Sequence, residues 1–229
     1  MKILFFLNVL VTLISNSLFA QGADICNFTA TTDIKSAITA NNYSLSPRYE
    51  SEKWASSTLK PDGTKPECTD ENPCANSEES EAKYACKYSA YSAQDKDTKT
   101  AWAEGIDGDG IGEILLAKID FSKPIKIFAG LGLSKKLFEA NNRPKEIKVY
   151  VLEIGKIEAG AQIPSYDHLK IKETHTIELK DTFGYQPLNI PKYKLKNNSN
   201  GNKHIIGIEI LSVYKGTKYS DTLISEISN

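Results

Sequence analysis

The chain has 229 residues, of which 28 are Lys or Arg, 29 are Asp or Glu and 40% are apolar. A chain of this length and apolar content can bury one sizeable hydrophobic core, so we expect one main domain. The formal net charge of −1 is spread over both signs, and this argues against a nucleic-acid-binding protein, which would need a basic surface.

The first twenty residues are typical of a secretory signal peptide. Lys2 supplies the basic start, Ile3 to Ile14 are mainly apolar, and small residues lead to Ala20. The apolar run is shorter than the roughly 20 residues that a membrane helix needs, and no later segment reaches that length. We therefore expect cleavage near Ala20, a secreted, periplasmic or cell-surface protein, and no membrane span.

Four cysteines follow this leader, namely Cys26, Cys68, Cys74 and Cys86. In an oxidising compartment they predict two disulfides, and four cysteines allow three pairings. A zinc site is the alternative, but no pair has the close spacing of zinc ligands and the three histidines lie far along the chain. We therefore expect disulfides with an undetermined pairing.

The segment before Trp54 is predicted to be an N-terminal extension, residues 21–53. Within it, Ala30 to Ala40 has apolar residues at helical spacing after Thr31 and Thr32, which predicts a short capped helix. Lys60 to Lys83 is rich in acidic and turn residues and has no apolar period. This stretch is predicted to be a surface insertion that contains two of the cysteines.

After Trp102 short apolar segments alternate with turn residues, which is the pattern of an all-β sandwich. Alternating apolar positions are typical of strands that bury one face. Long helical periods are absent from this half, which argues against a parallel α/β sheet. The predicted strands are Ile114 to Asp120, Ile125 to Leu133, Glu146 to Leu152, Thr174 to Leu179, Gln186 to Ile190, His204 to Val213 and Leu223 to Ile227.

Ser92 to Glu113 interleaves carboxylates with glycines, a composition that suits calcium because this ion takes six to eight oxygen ligands. An EF-hand loop from Asp107 would need Glu at its twelfth position, where Lys118 stands. The glycines also lack the spacing of a nucleotide-binding fingerprint. The alternative interpretation is a polar turn region whose carboxylates accept hydrogen bonds from local backbone amides.

Motifs of nucleophilic catalysis and of zinc-dependent proteolysis are missing from the sequence. Glu104 and Glu113 could flank a glycosidic bond as acid and base, which leaves a glycoside hydrolase as one hypothesis. Two acids without a positioned partner are weak support for a reaction, so we predict no catalytic residue and no enzyme activity.

Four sequence blocks, read in order, resemble a known family. They are A-S-S-T-L-K-P at 55–61, T-K-T-A-W-A-E-G-I-D-G-D-G-I-G-E at 98–113, N-N-R-P-K-E at 141–146 and S-V-Y-K-G-T-K-Y-S-D-T-L-I-S-E-I at 212–227. Together they resemble the discoidin, or coagulation factor 5/8 type C, superfamily of galactose-binding-like domains. Within it the chain is similar to the NAD glycohydrolase translocation domain, over about residues 54–229.

The resemblance implies a jelly-roll β-sandwich that recognises carbohydrate through loops at one end and often holds a structural calcium ion. Carried over to this sequence, the calcium ligands would be Asp95, Asp97, Thr100 and Glu226, beside Trp102 as a core anchor. The glycan-contacting positions would be Lys135, Lys136, Asn141, Asn142, Arg143, Tyr214, Tyr219 and Asp221, together with Phe138 and Lys215.

Several alternatives stay open at this point. Arg143 could instead be a structural ion-pair partner of Glu104 or Glu113. The insertion, and the absence of the family's usual aromatic residue before Lys135, depart from the family pattern. We expect a non-catalytic glycan-recognition module. The other hypotheses are an envelope structural or protein-interaction domain that uses the insertion, and the hydrolase described above.

Overall fold

The computed structural model describes residues 33–45, 54–61, 86–159, 164–191 and 203–229. The predicted signal peptide, the predicted helix start at Thr31 and Thr32 and most of the insertion lie outside these residues. Of the four cysteines only Cys86 lies within them, and it is disulfide-bonded. Its pairing therefore stays open.

Strands are the main regular structure of the described chain. The helices are α1 Ile34–Thr39 and α2 Lys135–Ala140, with a 3₁₀ helix at Ala90–Ala93. The strands are β1 Tyr43–Leu45, β2 Trp102–Ala103, β3 Ile114–Asp120, β4 Ile125–Ala129, β5 Arg143–Ala159, β6 Pro164–Glu178, β7 Gln186–Leu188, β8 Lys203–Tyr214 and β9 Leu223–Ser228.

These strands form two antiparallel sheets, one in the order β1-β6-β5-β8-β3 and the other in the order β2-β9-β4-β7. β5 and β6 are consecutive and pair with each other, but other neighbours are far apart in the chain, since β3 pairs with β8 and β2 pairs with β9. Such returns are typical of Greek-key sandwiches. The predicted all-β, discoidin-like jelly-roll sandwich is confirmed.

The core lies between the two sheets and follows the alternation seen in the sequence. Ile147, Val149 and Val151 of β5 are fully buried, and so are Ile206 and Ile208 in the neighbouring strand β8. Val149 lies opposite Ile208, and Val151 lies opposite Ile206. Side chains at every second position thus point to one face and form a continuous apolar layer.

Several predicted strand limits are wrong, and local backbone geometry explains the two largest differences. The strand predicted to run to Leu133 ends at Ala129 because Gly130 adopts a φ of +115°, which interrupts the extended backbone. β5 and β6 are longer than predicted. A bulge between Val151 and Leu152 breaks the period-two alternation of apolar residues, so the sequence pattern does not show that the pairing continues beyond it. The short strands β1 and β2 and the helix α2 were not predicted.

The N-terminal segment packs on the domain. The prediction that Thr31 and Thr32 cap α1 is wrong, because Asp33 is the N-cap and accepts a hydrogen bond from the Ser36 amide at 2.9 Å. Lys35 reaches the buried carboxylate of Glu209 on β8 at 2.7 Å, and Tyr150 of β5 donates to the same carboxylate. Helix α1 therefore covers the outer face of the five-stranded sheet, while β1 extends its edge beside β6.

None of the helices in the described parts of the chain has the length and apolar content of a membrane span.

Candidate functional site

Four loops meet at one end of the sandwich, which we call the loop end. They are residues 104–113, 130–142, 179–185 and 215–222. Backbone hydrogen bonds join three of them: the Asn142 amide donates to Asp221, the Glu104 amide to Thr222, and the Gly130 amide to Leu223. Arg143, at the start of β5, connects the fourth loop through Asp181. All the predicted glycan-contacting residues lie at this end.

Asn142 links three of these loops and is almost completely buried. Its amide nitrogen donates to Asp109 at 2.9 Å and to the Ser220 carbonyl at 2.7 Å, and its amide oxygen accepts from the Gly216 amide at 2.7 Å. Every polar atom of this side chain is therefore used. Asn142 orders the loop end but does not present a group to a ligand.

Arg143 has the same kind of role. Its guanidinium forms two bonds to the Asp181 carboxylate, at 3.0 and 2.6 Å. It also donates to the carbonyls of Asn141 and Lys215 at 2.9 and 3.0 Å. The sequence offered the alternative that Arg143 forms a structural ion pair with Glu104 or Glu113. The choice of partner is wrong, because the ion pair is formed with Asp181.

Glu104 is fully buried beneath residues 105–112, which we call the glycine-rich loop. Its carboxylate oxygens accept hydrogen bonds from the amides of Thr222 and Ile106, at 3.1 and 3.0 Å. Gly110 lies directly against it: φ is +68°, and a Cβ there would stand 2.3 Å from Cγ of Glu104. This position requires glycine for both reasons. Glu104 therefore anchors the loop.

Glu113, the second acid of the hydrolase hypothesis, is also fixed by hydrogen bonds within the protein. Glu113 accepts hydrogen bonds from the hydroxyls of Ser56, at 2.6 Å, and Ser57. With Glu104 buried and bonded to backbone amides, the pair does not offer an exposed acid and an exposed base on either side of a ligand, as glycoside hydrolysis requires.

The other predicted contact residues are divided between exposed and structural positions. Lys135 and Lys136 are exposed on α2, whereas Asn141 caps the end of that helix by donating to the Leu137 carbonyl. Tyr219 is exposed in the loop before β9. Tyr214 and Asp221 are half-buried, and the Tyr214 hydroxyl donates to the Leu179 carbonyl at 2.9 Å.

The four predicted calcium ligands lie in one corner beside the loop end. The Thr100 hydroxyl donates to Asp95 at 2.7 Å, and the Asp97 amide donates to the other oxygen of Asp95 at 2.8 Å. Glu226 of β9 accepts from the Lys96 amide at 2.9 Å, which brings the last strand to this loop.

The donor set of this corner fits calcium, since all its groups are hard oxygens. Burial, reinforced by the charge of Asp95, raises the pKa of Glu226 to about 7. A bound cation would offset this repulsion. Within the described residues, however, no group of three or more His, Cys, Asp or Glu side chains is arranged to hold a metal, so calcium binding would have to draw the carboxylates of Asp97 and Glu226 toward Asp95.

Trp102 adjoins this corner and lies in the core, as its proposed role requires. It is fully buried, and its indole N–H donates to the Ser57 carbonyl at 2.9 Å. The bond ties the chain before the insertion to β2.

The sequence analysis missed an aromatic cluster at the loop end, formed by Phe128, Phe138, Phe183 and Tyr185. The signal that could have indicated it is T-F-G-Y-Q at 182–186, where two aromatic residues flank Gly184 in a turn. Because the partner rings come from β4 and α2, their proximity could not be read from the sequence.

One family model, described as the NAD glycohydrolase translocation F5/8 type C domain, matches residues 67–229. The match begins inside the insertion and continues to the last residue, and it covers more than half of the chain. No curated protein matches the chain.

Two solved structures show distant similarity. One is the arabinofuranosyltransferase AftD from Mycobacteria, with 17% identity, a TM-score of 0.33, and coverage of 62% of this chain and 9% of that chain. The other is a Ruminococcus gnavus GH29 fucosidase in complex with fucose, with 14% identity, a TM-score of 0.27, and coverage of 63% and 22%. The chain thus spans less than a quarter of either protein.

Proposed function

The chain belongs to the family of NAD glycohydrolase translocation F5/8 type C domains, and on this premise we propose that it is a secreted, non-catalytic module that binds carbohydrate at the loop end. The observation that supports this proposal best is the rigid construction of that end. The buried side chains of Asn142 and Arg143 fix the four loops through hydrogen bonds to each of them. A surface that is ordered before binding loses less entropy when a ligand docks.

The exposed residues of the loop end supply suitable chemistry. Sugars are bound by aromatic faces and by polar groups that bond their hydroxyls. Tyr219 offers a ring, Lys135 and Lys136 offer ammonium groups, and Asp221 offers a half-buried carboxylate. The partner would be a cell-surface or extracellular glycan.

Binding to an array of immobilised oligosaccharides tests this function. We expect wild-type protein to bind a defined subset of glycans, and Lys136→Ala or Tyr219→Ala to weaken that binding about fivefold, the usual effect of a contributing contact residue. Lys123→Ala is the matched control, because Lys123 is an exposed lysine in the β3–β4 turn at the other end of the sandwich. Absence of binding across the array would contradict the proposal.

We also propose that the corner formed by Asp95, Asp97, Thr100 and Glu226 binds calcium as a structural ion. Extracellular calcium sites have dissociation constants of about 0.1 to 1 mM, so 10 mM calcium should stabilise the folded state by about 1.4 to 2.7 kcal/mol. The melting midpoint is then expected to rise by about 3 to 11 °C.

Differential scanning fluorimetry in calcium and in EDTA measures this shift. Asp95→Asn should abolish it, because Asp95 is central to the corner. Asp107→Asn is the matched control, since Asp107 is an exposed acid in the neighbouring glycine-rich loop. Equal midpoints in calcium and EDTA would show that the corner is held by its own hydrogen bonds.

A further inference from the structure

The aromatic cluster at the loop end presents two rings to solvent. Phe183 is 42% exposed and Tyr185 is 44% exposed. Both lie on the loop that joins β6 to β7, next to the buried Phe128 of β4. The two exposed rings and the Phe128 ring beneath them therefore form one contiguous aromatic patch, and contiguous exposed patches mark interaction sites more often than single exposed side chains do.

The two rings are held in fixed orientations. Phe183 makes edge-to-face contacts with Phe128 and with Phe138, each at a centroid distance of 5.5 Å. Tyr185 contacts Phe128 in the same way at 5.7 Å. The Arg143 guanidinium lies 5.2 Å from the centre of the Phe138 ring and thereby supports the cluster from below. Edge-to-face packing of this kind fixes ring planes.

Gly130 makes the close packing under these rings possible. A Cβ on this residue would stand 2.6 Å from Cγ of Arg143 and 2.7 Å from the Phe138 ring. The turn after β4 therefore leaves room for the guanidinium and the ring to lie side by side. The packing beneath the exposed rings therefore depends on glycine at position 130.

Polar groups border the rings. Asp181, whose side chain is 37% exposed, accepts one hydrogen bond on each oxygen from Arg143. Each carboxylate oxygen can accept a further bond, so the group remains available to a hydroxyl. The Lys126 ammonium lies 4.6 Å from the centre of the Tyr185 ring. The exposed aromatic rings are thus accompanied by charged side chains that can form hydrogen bonds.

We propose that Phe183 and Tyr185 form the apolar platform on which a neutral pyranose stacks, with Asp181 accepting hydrogen bonds from its hydroxyls. This inference rests on the proposed function and locates its principal contact. A pyranose has a face of C–H groups and a rim of hydroxyls, which matches rings bordered by a carboxylate. The hydroxyls of a neutral sugar can donate hydrogen bonds to Asp181, whereas the carboxylate of an acidic sugar can only accept them, so this position favours a neutral sugar.

The size of the patch favours a sugar over a protein partner. A stable protein interface buries about 800 Å² on each partner around an apolar centre. Two half-exposed rings provide only a fraction of that area, and charged groups surround them. A shallow patch of this kind suits one or two sugar units.

The test compares variants on immobilised oligosaccharides that end in a neutral hexose and on a matched set that end in sialic or uronic acid. We expect wild-type protein to bind neutral-ended glycans. Phe183→Leu and Tyr185→Leu keep an apolar side chain but remove the ring, and each should weaken binding at least tenfold. Leu133→Ala is the control, because Leu133 is an equally exposed apolar residue of the loop end, at 51%.

The outcomes separate this inference from the proposed function. Binding that both ring variants retain would place the sugar elsewhere and overturn the platform, while the carbohydrate-binding function would stand. Binding restricted to the acidic set would likewise overturn the inference alone. Absence of wild-type binding on both sets would overturn both. Unchanged melting midpoints of the variants would show that a loss of binding is not a loss of fold.

Discussion

Replacement of Arg143 by Ala is expected to lower the free energy of unfolding by about 3 kcal/mol or more. The substitution removes four hydrogen bonds from a buried guanidinium. It leaves the buried Asn141 carbonyl without this donor, and an unsatisfied buried group costs about 1 to 3 kcal/mol. It also uncovers one face of Phe138, so that packing and electrostatic losses add to one another.

Urea denaturation measures this loss. Lys135→Ala is the control, since it removes one positive charge from the same end of the molecule at an exposed position, where substitutions usually change stability by less than 0.5 kcal/mol. Arg143→Lys should be intermediate, because an ammonium cannot reproduce the two parallel bonds to Asp181. Equal denaturation midpoints for Arg143→Ala and Lys135→Ala would show that the guanidinium does not hold the loop end.

Stability is expected to fall as the pH rises from about 4.5 to about 7, because of Glu104. Burial raises the pKa of this carboxyl from 4.5 to about 7, and the charges of Asp221 and Glu113 act in the same direction, while the Thr222 and Ile106 amides act against them. Over this range the folded chain holds a proton that the unfolded chain has released. Each pH unit therefore lowers the free energy of unfolding by up to about 1.4 kcal/mol.

The contribution of Glu104 is isolated by comparing wild type with Glu104→Gln, which has the same shape and no charge. Free energies of unfolding at several pH values between 4.5 and 8 should diverge, with the variant showing the shallower decline. Acids that are not coupled to Glu104, including Glu226, titrate equally in both proteins, so the difference between the two curves reports Glu104 and its coupling to Asp221 and Glu113. Parallel curves would contradict the raised pKa.

Local sequence patterns were sufficient to predict the sandwich and most of its strands. Period-two alternation at Ile147, Val149 and Val151 reflects one buried face, which the structure confirms. The same rule failed after Ala129, because an alternating pattern continues through Leu133 while Gly130 turns the backbone away. It also failed at β1 and β2, which are too short to show a period and exist because β6 and β9 pair with them.

The candidate site was harder to predict because its geometry depends on long-range pairs. Arg143 and Asp181 are 38 positions apart, and no local pattern connects them. The family resemblance implied that Arg143 and Asn142 contact a ligand. The fold instead buries them as supports. The exposed aromatic pair escaped notice because its importance comes from Phe128 and Phe138 beneath it.

The position of helix α1 bears on how shortened versions of the protein should be made. The family match begins at residue 67, and the four sequence blocks begin at 55, yet Lys35 neutralises a carboxylate that lies in the middle of the five-stranded sheet. A fragment trimmed to the matched region would leave Glu209 without its cation and would expose the apolar surface under Ile34 and Ile38. Binding studies should therefore use protein that starts upstream of Asp33, because aggregation of a shorter fragment could be mistaken for adhesion.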